Sequence, residues 1–218
     1  MSQENSRMED PGGARTELSR RTFLKGAGLT IAAVGVTGPV AAASQEGLTT
    51  SEVPVVGPGR VELELIINGA RRKIAVEPWV TLLDLLRDRI GLTGSKRCCD
   101  RGSCGACTVL VGDRPVCSCT MLAIDAAGRQ IITIEGIASG EQLSDLQKAF
   151  VECDAMQCGF CTPGMVVAGT ALLRRNEKPT RDEIAEGIAG NICRCGAYQN
   201  IFEAVARAAG EGGGRARF

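Results

Sequence analysis

The chain contains eleven cysteines and no histidine among its 218 residues, and this composition limits its chemistry severely. Without histidine it cannot form mixed-ligand zinc fingers, Rieske centres, histidine-ligated haem, or Ser-His and Cys-His catalytic pairs. Zinc or iron bound by this chain would therefore have to be held by cysteine thiolates. Cysteines this numerous can form disulfides in a secreted protein, an all-cysteine zinc site or iron–sulfur clusters. The spacing of the cysteines must therefore distinguish these three possibilities.

The charge balance argues against a nucleic-acid-binding protein, and the hydrophobic content favours a globular one. Lys plus Arg equals Asp plus Glu at 25 each, so the chain has no excess of basic charge for a nucleic-acid backbone. Hydrophobic residues make up 44% of the chain, which is enough for one or two folded cores. We therefore expect a globular protein without a nucleic-acid partner.

Residues 1–43 are predicted to be a twin-arginine (Tat) export signal. "SRRTFLK" at 19–25 contains Arg20 and Arg21, and the weakly apolar stretch after it ends in an A-x-A pattern at Ala41 and Ala43. Glycines and a proline interrupt that stretch, which disfavours a membrane anchor. We expect cleavage after Ala43, a periplasmic protein exported already folded, and no transmembrane segment in the mature chain.

The rest of the chain predicts an α+β fold in two domains. Residues 44–60 are rich in small and turn-forming residues and are predicted to be a linker. Residues 61–136 show a β-hairpin around Asn68-Gly69, a helix that begins after Thr81, and two β-branched runs, "CTVLV" and "IITI". This order is the β-grasp outline of ferredoxin-like domains.

Residues 137–209 predict a four-helix domain, and residues 210–218 a mobile tail. Ser144 is placed to cap the first helix, and Thr162 with Pro163 to begin the second. A Thr180-x-x-Glu183 capping box predicts the third, and "NIFEAVARAA" the fourth.

The first thiol set lies between the helix and the later strands of the β-grasp domain. Cys99-x4-Cys104-x2-Cys107 has the plant-type ferredoxin spacing for a [2Fe–2S] cluster. The fourth ligand is open between Cys117 and Cys119, because residues two apart in a strand point to the same face. Cys98 would give an x5 interval and is interpreted as a non-ligand.

The second thiol set is Cys158-x2-Cys161, followed after 31 residues by Cys193-x1-Cys195. Each pair leads into a predicted helix, whose N-terminal amides favour the negative charge of a thiolate cluster. A zinc centre would use the same ligands, but two four-thiol sets and one ferredoxin interval favour iron–sulfur clusters. A C-x-C pair is also poor disulfide geometry. Cys153 is interpreted as a buried apolar thiol.

Four motifs together resemble the small iron–sulfur subunit of molybdenum hydroxylases, the xanthine oxidase family. They are "GSKRCCDRGSCGACTVLV", "SCTMLA", "MQCGFCTPGM" and "GNICRCGAYQNI", and the resemblance covers residues 61–209. With its Tat signal, the chain is similar to the exported subunit of periplasmic aldehyde oxidoreductases. The sequence departs from the pattern at Cys98, Cys117 and Cys153.

The resemblance implies a β-grasp [2Fe–2S] domain followed by a helical [2Fe–2S] domain. It also assigns eight ligands: Cys99, Cys104, Cys107 and Cys119 for the cluster nearer the electron acceptor, and Cys158, Cys161, Cys193 and Cys195 for the cluster nearer molybdenum. Gln157 would hydrogen-bond the pterin of a partner chain. Cys195 would also lie on the electron path between that pterin and iron.

The predicted function is electron transfer, with no catalytic centre in this chain. The resemblance implies a large molybdopterin-binding partner, with the cofactor in its cytosine dinucleotide form, that oxidises an aldehyde or N-heterocycle. It also implies a second partner that carries FAD, or a cytochrome, as acceptor. The alternatives are a stand-alone double-cluster ferredoxin or redox sensor, and a structural zinc protein.

Overall fold

The computed structural model describes residues 57–210. The predicted export signal with its cleavage site, residues 44–56 of the linker and all but the first residue of the predicted tail lie outside the described residues.

The first element is the predicted hairpin. Strands β1 (Val61–Ile67) and β2 (Ala70–Val76) pair antiparallel over their whole length. Asn68 and Gly69 connect them with φ values of 50° and 81°, the left-handed conformations that a type I′ turn requires. The hairpin prediction is confirmed.

Helix α1 follows, and it begins at the predicted cap. Thr81 Oγ1 accepts a hydrogen bond from the backbone N–H of Asp84 at 3.1 Å. The helix is α-helical only over Leu82–Asp84 and continues as a π-helical segment over Leu85–Arg89, in which the Ile90 N–H donates to the Leu85 carbonyl. Leu82, Leu85 and Leu86 are fully buried against the sheet, whereas Leu83 is fully buried against Cys107 and Cys119.

Three short strands complete a mixed five-stranded sheet. They are β3 (Thr108–Val111), β4 (Arg114–Cys117) and β5 (Gln130–Ile132), and the strand order is β2-β1-β5-β3-β4. The β1–β5 pair is parallel and the other pairs are antiparallel. Two 3₁₀ turns, Ala123–Ala126 and Ile134–Gly136, flank β5.

Four helices follow the sheet, as predicted: α2 (Asp145–Glu152), α3 (Thr162–Arg175), α4 (Arg181–Gly187) and α5 (Tyr198–Ala208). Ser144 and Thr180 each form a complete capping box. The helices share a core that includes Phe150, Met165 and Ile201. The α+β fold class is thus confirmed.

Strand β3 joins the two parts because both of its faces are covered. Val109 and Val111 belong to the core beneath α1, whereas Leu110 packs against Val167 and Ala171 of α3. All four residues of β3 are buried for this reason. The β-grasp and helical parts therefore lie within one compact unit. Among residues 57–210, no helix has both the length and the apolar character needed to cross a membrane.

Candidate iron–sulfur sites

The loop that carries Cys99, Cys104 and Cys107 is shaped by residues in left-handed conformations. Asp100, Gly102 and Gly105 have φ values of 54°, 72° and 68°. Such turns aim successive backbone N–H groups into the loop, where they can donate to sulfur. Cys99 and Cys104 are half-buried and Cys107 is buried.

Cys117 and Cys119 both lie beside this loop, but in different backbone settings. Cys117 is the last residue of β4, whereas Cys119 lies in the turn after it, so the strand alternation used in the sequence analysis does not apply to the pair. Gly102 N–H donates to Cys119 Sγ at 3.3 Å, and the Cys117 thiol donates to the Gly102 carbonyl at 3.6 Å. The two cysteines therefore contact opposite ends of the same residue.

The thiol pKa values differ across this site. The backbone amide of Arg101, followed by the Cys104 thiol, lowers the pKa of Cys99 to about 7. Burial raises the pKa of Cys119 to about 11. Hydrogen bonding between Cys107 and Cys117 raises the pKa of Cys107 and lowers that of Cys117 to about 7. A bound cation is what would deprotonate the buried thiols.

The second thiol set comes together from the loops before α3 and α5. Cys158 Sγ and Cys195 Sγ are 3.4 Å apart, and both residues are exposed. Cys161 is half-buried and Cys193 is buried, with the Cys193 N–H donating to the Tyr198 hydroxyl at 2.9 Å. The set thus has an exposed side and a buried side.

The pKa values in this set do not follow exposure alone. The backbone amide of Cys158 favours ionisation of the exposed Cys195, but the side-chain hydrogen bond with Cys158, together with desolvation, outweighs it and raises the pKa of Cys195. The backbone amide of Phe160, followed by the Cys195 thiol, lowers the pKa of Cys158. Burial raises the pKa of Cys161 to about 12. Burial also opposes ionisation of Cys193, but hydrogen bonds led by the Ala197 amide outweigh it and lower its pKa. Local amides therefore stabilise thiolate charge in both sets.

The start of α3 differs from its prediction. Cys161, not Thr162, is the N-cap residue, so Thr162 is already inside the helix. Within residues 57–210, the buried Thr162 hydroxyl has no hydrogen-bond partner. A polar hydrogen donor is consequently free directly beside Cys161.

Three residues that the sequence analysis singled out, Gln157, Cys98 and Cys153, are not among the eight assigned ligands. Gln157 is exposed next to Cys158. Cys98 is exposed, within hydrogen-bonding reach of Cys104. Cys153 ends α2 and packs against the helical core, but it is half-buried rather than buried as predicted. In the part of the chain that the structure describes, no three Cys, Asp or Glu side chains are arranged around a single-ion site.

The loops of the two sets are in direct contact, which the sequence analysis missed. The Ile192 N–H donates to the Cys104 carbonyl at 2.9 Å. Beside this bond, the buried Asn191 side chain donates to the Gly105 carbonyl at 2.8 Å. The motif around Asn191 was visible in the sequence, but contacts between loops 86 residues apart leave no local signal.

The thiol sets fit the cofactor that their spacing predicts. Each set offers four thiols, backbone amides lie within reach of sulfur, and glycines leave room at the loops. Each cluster, when bound, supplies a one-electron carrier.

Comparison with protein families matches the two thiol-bearing parts of the chain separately. A 2Fe-2S iron-sulfur cluster binding domain matches residues 65–131, and a [2Fe-2S] binding domain matches residues 133–206. A twin-arginine translocation pathway signal sequence matches residues 17–37.

Individual relatives match over most of their length. The chain is 47% identical to the nicotine 6-hydroxylase small subunit of Paenarthrobacter nicotinovorans over 156 residues, 72% of this chain and 94% of the relative. It is 39% identical to the aldehyde oxidoreductase iron-sulfur-binding subunit PaoA of Escherichia coli K12 over 209 residues, 89% of each chain. The structure matches quinoline 2-oxidoreductase from Pseudomonas putida 86 with a TM-score of 0.66 and 44% identity, covering 70% of this chain and 98% of that one.

The fold and the two thiol sets define a class of protein, the two-centre [2Fe–2S] electron-transfer subunits. Their order along the chain, β-grasp first and helical second, is that of the matched families. The chain belongs to the small iron–sulfur subunits of the xanthine oxidase-type molybdenum hydroxylases. It is an exported component of a multi-subunit oxidoreductase of that family.

Proposed function

We propose that this chain receives electrons from the molybdopterin subunit at its second thiol set and passes them through its first thiol set to a separate acceptor. The observation that carries this direction is the exposure of Cys158 and Cys195 at one surface. Three large apolar side chains within two residues of a cysteine of this set are also exposed: Met156, Phe160 and Ile192, at 41%, 45% and 52%. Exposed apolar side chains near exposed ligands favour a protein partner that supplies electrons there.

The ligand assignment is part of this proposal. Cys99, Cys104, Cys107 and Cys119 would hold the first cluster, and Cys158, Cys161, Cys193 and Cys195 the second. Gln157 would donate to or accept from the partner's pterin, since its exposed side chain lies beside Cys158.

Cys119 is favoured over Cys117 as the fourth ligand of the first cluster because of its hydrogen bonds. The low pKa of Cys117 depends on the hydrogen that Cys107 donates to it. Cys107 loses that hydrogen when it binds iron as a thiolate, so this support for a Cys117 thiolate disappears. The Gly102 amide at Cys119 keeps its hydrogen in both states.

We propose an aldehyde as the substrate of the assembled enzyme. The match to the aldehyde oxidoreductase subunit spans 209 residues, 89% of both chains, and so extends beyond the two cluster domains. An N-heterocycle is the second candidate. It is supported by 47% identity to both the nicotine 6-hydroxylase small subunit and the nicotinate dehydrogenase small FeS subunit of Eubacterium barkeri.

Purification of the native complex tests the proposal. We expect a large chain with molybdenum and pterin to copurify, and anaerobic aldehyde to bleach the visible absorption of the iron–sulfur clusters. Bleaching by nicotinate-like heterocycles alone would select the second candidate. An iron-loaded chain that purifies alone, without molybdenum, would instead support the stand-alone ferredoxin or sensor.

The same preparation identifies the finer cofactors. We propose the cytosine dinucleotide form of molybdopterin in the large subunit, and FAD in a further subunit as acceptor, with a cytochrome as the alternative. The nucleotide released by acid hydrolysis identifies the form of molybdopterin. The flavin absorption of the complex shows whether the acceptor subunit carries FAD.

We also propose domain boundaries of 61–136 and 137–209, which the separate family matches to 65–131 and 133–206 support.

A further inference from the structure

Asn191 is a buried polar residue whose amide joins the two thiol-bearing loops. Its side chain is only 6% exposed, and Nδ2 donates both to the Gly105 carbonyl at 2.8 Å and to Thr108 Oγ1 at 3.1 Å. The Thr108 hydroxyl donates to the same Gly105 carbonyl at 2.7 Å. Asn191, Gly105 and Thr108 therefore form a closed hydrogen-bonded triangle, which we call the loop clamp.

Gly105 lies between the two halves of the second thiol set. A Cβ atom built on Gly105 would overlap the Gly190 carbonyl oxygen and come within 2.6 Å of Asn191 Nδ2. From the other half, a Cβ atom on Gly164 in α3 would overlap the Gly105 carbonyl oxygen. The first loop thus contacts the segment after Cys161 and the segment before Cys193 at one point.

A backbone hydrogen bond beside the loop clamp joins Cys104 of the first thiol set to Ile192, the residue before Cys193 of the second set. The Ile192 N–H donates to the carbonyl of Cys104, and Cys193 follows Ile192 directly. Any slip of the first loop against the second would lengthen this contact and move Cys104 relative to Cys193. The position of Gly105 therefore determines how closely the two thiol sets approach.

We propose that Asn191 is a positioning residue that holds the first loop against both halves of the second thiol set and so fixes the separation of the two clusters. The proposal rests on the proposed two-cluster electron relay. Asn191 touches neither thiol set directly in this role; it acts through Gly105 and Thr108. An amide is required because both of its partners accept, and a carboxylate of the same shape would present only acceptors to them.

The test uses the full chain loaded with both clusters and reduced by dithionite. Two paramagnetic centres held close together broaden and split each other's electron paramagnetic resonance signals and speed their relaxation. We expect Asn191→Asp to retain roughly four irons per chain, for two [2Fe–2S] clusters, but to lose much of this splitting and relaxation enhancement. A residue that only supported stability would leave the magnetic interaction of the folded, fully loaded protein unchanged.

Asn200→Asp is the matched control. Asn200 also donates its side-chain amide to a backbone carbonyl, that of Asp154 at 3.1 Å, but it is exposed and both residues lie in the helical part. This variant should show the wild-type interaction. An equal loss of magnetic interaction in both variants would mean that the packing of the whole chain has loosened, and would overturn the proposal.

Thr108→Val decides the outcome if Asn191→Asp fails to load iron. It removes one partner of the loop clamp and leaves the Asn191–Gly105 bond, so a smaller loss of magnetic interaction is expected. A fully loaded Asn191 or Thr108 variant with wild-type coupling would overturn the role of Asn191. Failure of the wild-type chain to bind two iron–sulfur clusters would instead contradict the proposed function itself.

Discussion

At the scale of single residues, Gly105 is a position where an added methyl group meets two separate costs. Its left-handed φ of 68° disfavours any side chain, and the loop clamp leaves no space for one. Gly112 separates these two costs, because it has a similar φ of 61° but no atom within 4 Å of a built Cβ. The two glycines therefore form a matched pair.

We expect Gly105→Ala to destabilise the loaded chain more than Gly112→Ala. The left-handed conformation costs a non-glycine residue about 1–2 kcal/mol at either site. The clash at Gly105 adds about 1–3 kcal/mol, typical of overpacking, or displaces the loop. Melting temperatures at one scan rate compare the variants, and equal values would contradict the packing described for Gly105.

A second residue-scale prediction distinguishes Cys119 from Cys117. Cys119→Ser should reduce iron from roughly four to roughly two per chain, because the first cluster loses a ligand that an amide supports. Cys117→Ser should keep full iron, and Cys153→Ser, which changes a non-ligand thiol packed on the helical core, is the control. Iron loss from the Cys117 variant alone would show that Cys117, not Cys119, is the fourth ligand of the first cluster.

These residues also show where reading the sequence failed. The periodicity argument treated Cys117 and Cys119 as one strand, but β4 ends at Cys117 and the chain turns immediately. Thr162 resembles a cap by residue type, yet Cys161 occupies that position because the helix begins one residue earlier. In both cases a boundary error of one or two residues changed the role of a side chain.

At the scale of secondary structure, the decisive element is β3, whose two faces serve two cores. Leu110 is fully buried between the sheet and α3. We expect Leu110→Ala to cost about 2–5 kcal/mol and to destabilise both halves together. Leu143→Ala, at a position that is 45% exposed, should change stability by less than about 0.5 kcal/mol.

Thermal unfolding followed separately by far-ultraviolet circular dichroism and by cluster absorption measures this effect. Both signals should shift to lower temperature by the same amount in Leu110→Ala. A shift in only one signal would show that the sheet and the helices unfold independently.

Local signals explain which elements could be predicted from the sequence. The Asn68-Gly69 turn and the caps at Thr81, Ser144 and Thr180 act within a few residues, and each was confirmed. The contact of α3 with β3 depends on residues more than fifty positions apart, so no local pattern indicated it. For that reason the sequence analysis did not indicate that β3 faces two cores.

At the scale of the whole molecule, the proposed order of carriers follows from the exposed side of the second thiol set. Cys158→Ala should remove the second cluster and spare the first, whose proposed ligands all lie between residues 99 and 119. In the assembled enzyme, substrate should then reduce molybdenum while the first cluster stays oxidised. Freeze-quench electron paramagnetic resonance measures each centre.

Cys153→Ala is the control for this experiment, since it removes a thiol from the same helical part that is not among the proposed ligands. It should show full iron and normal reduction of both clusters. Normal reduction of the first cluster in the Cys158 variant would mean that electrons enter elsewhere, and the order would be wrong.

The hydrogen bond from Ile192 to Cys104 has a consequence for how this protein can diverge. The bond uses only backbone atoms, while the Ile192 side chain points outward and is 52% exposed. Mutation at position 192 can therefore remodel the outer surface without altering the contact between the loops. Descendants of this chain could acquire a new partner at this residue and inherit the internal spacing unchanged.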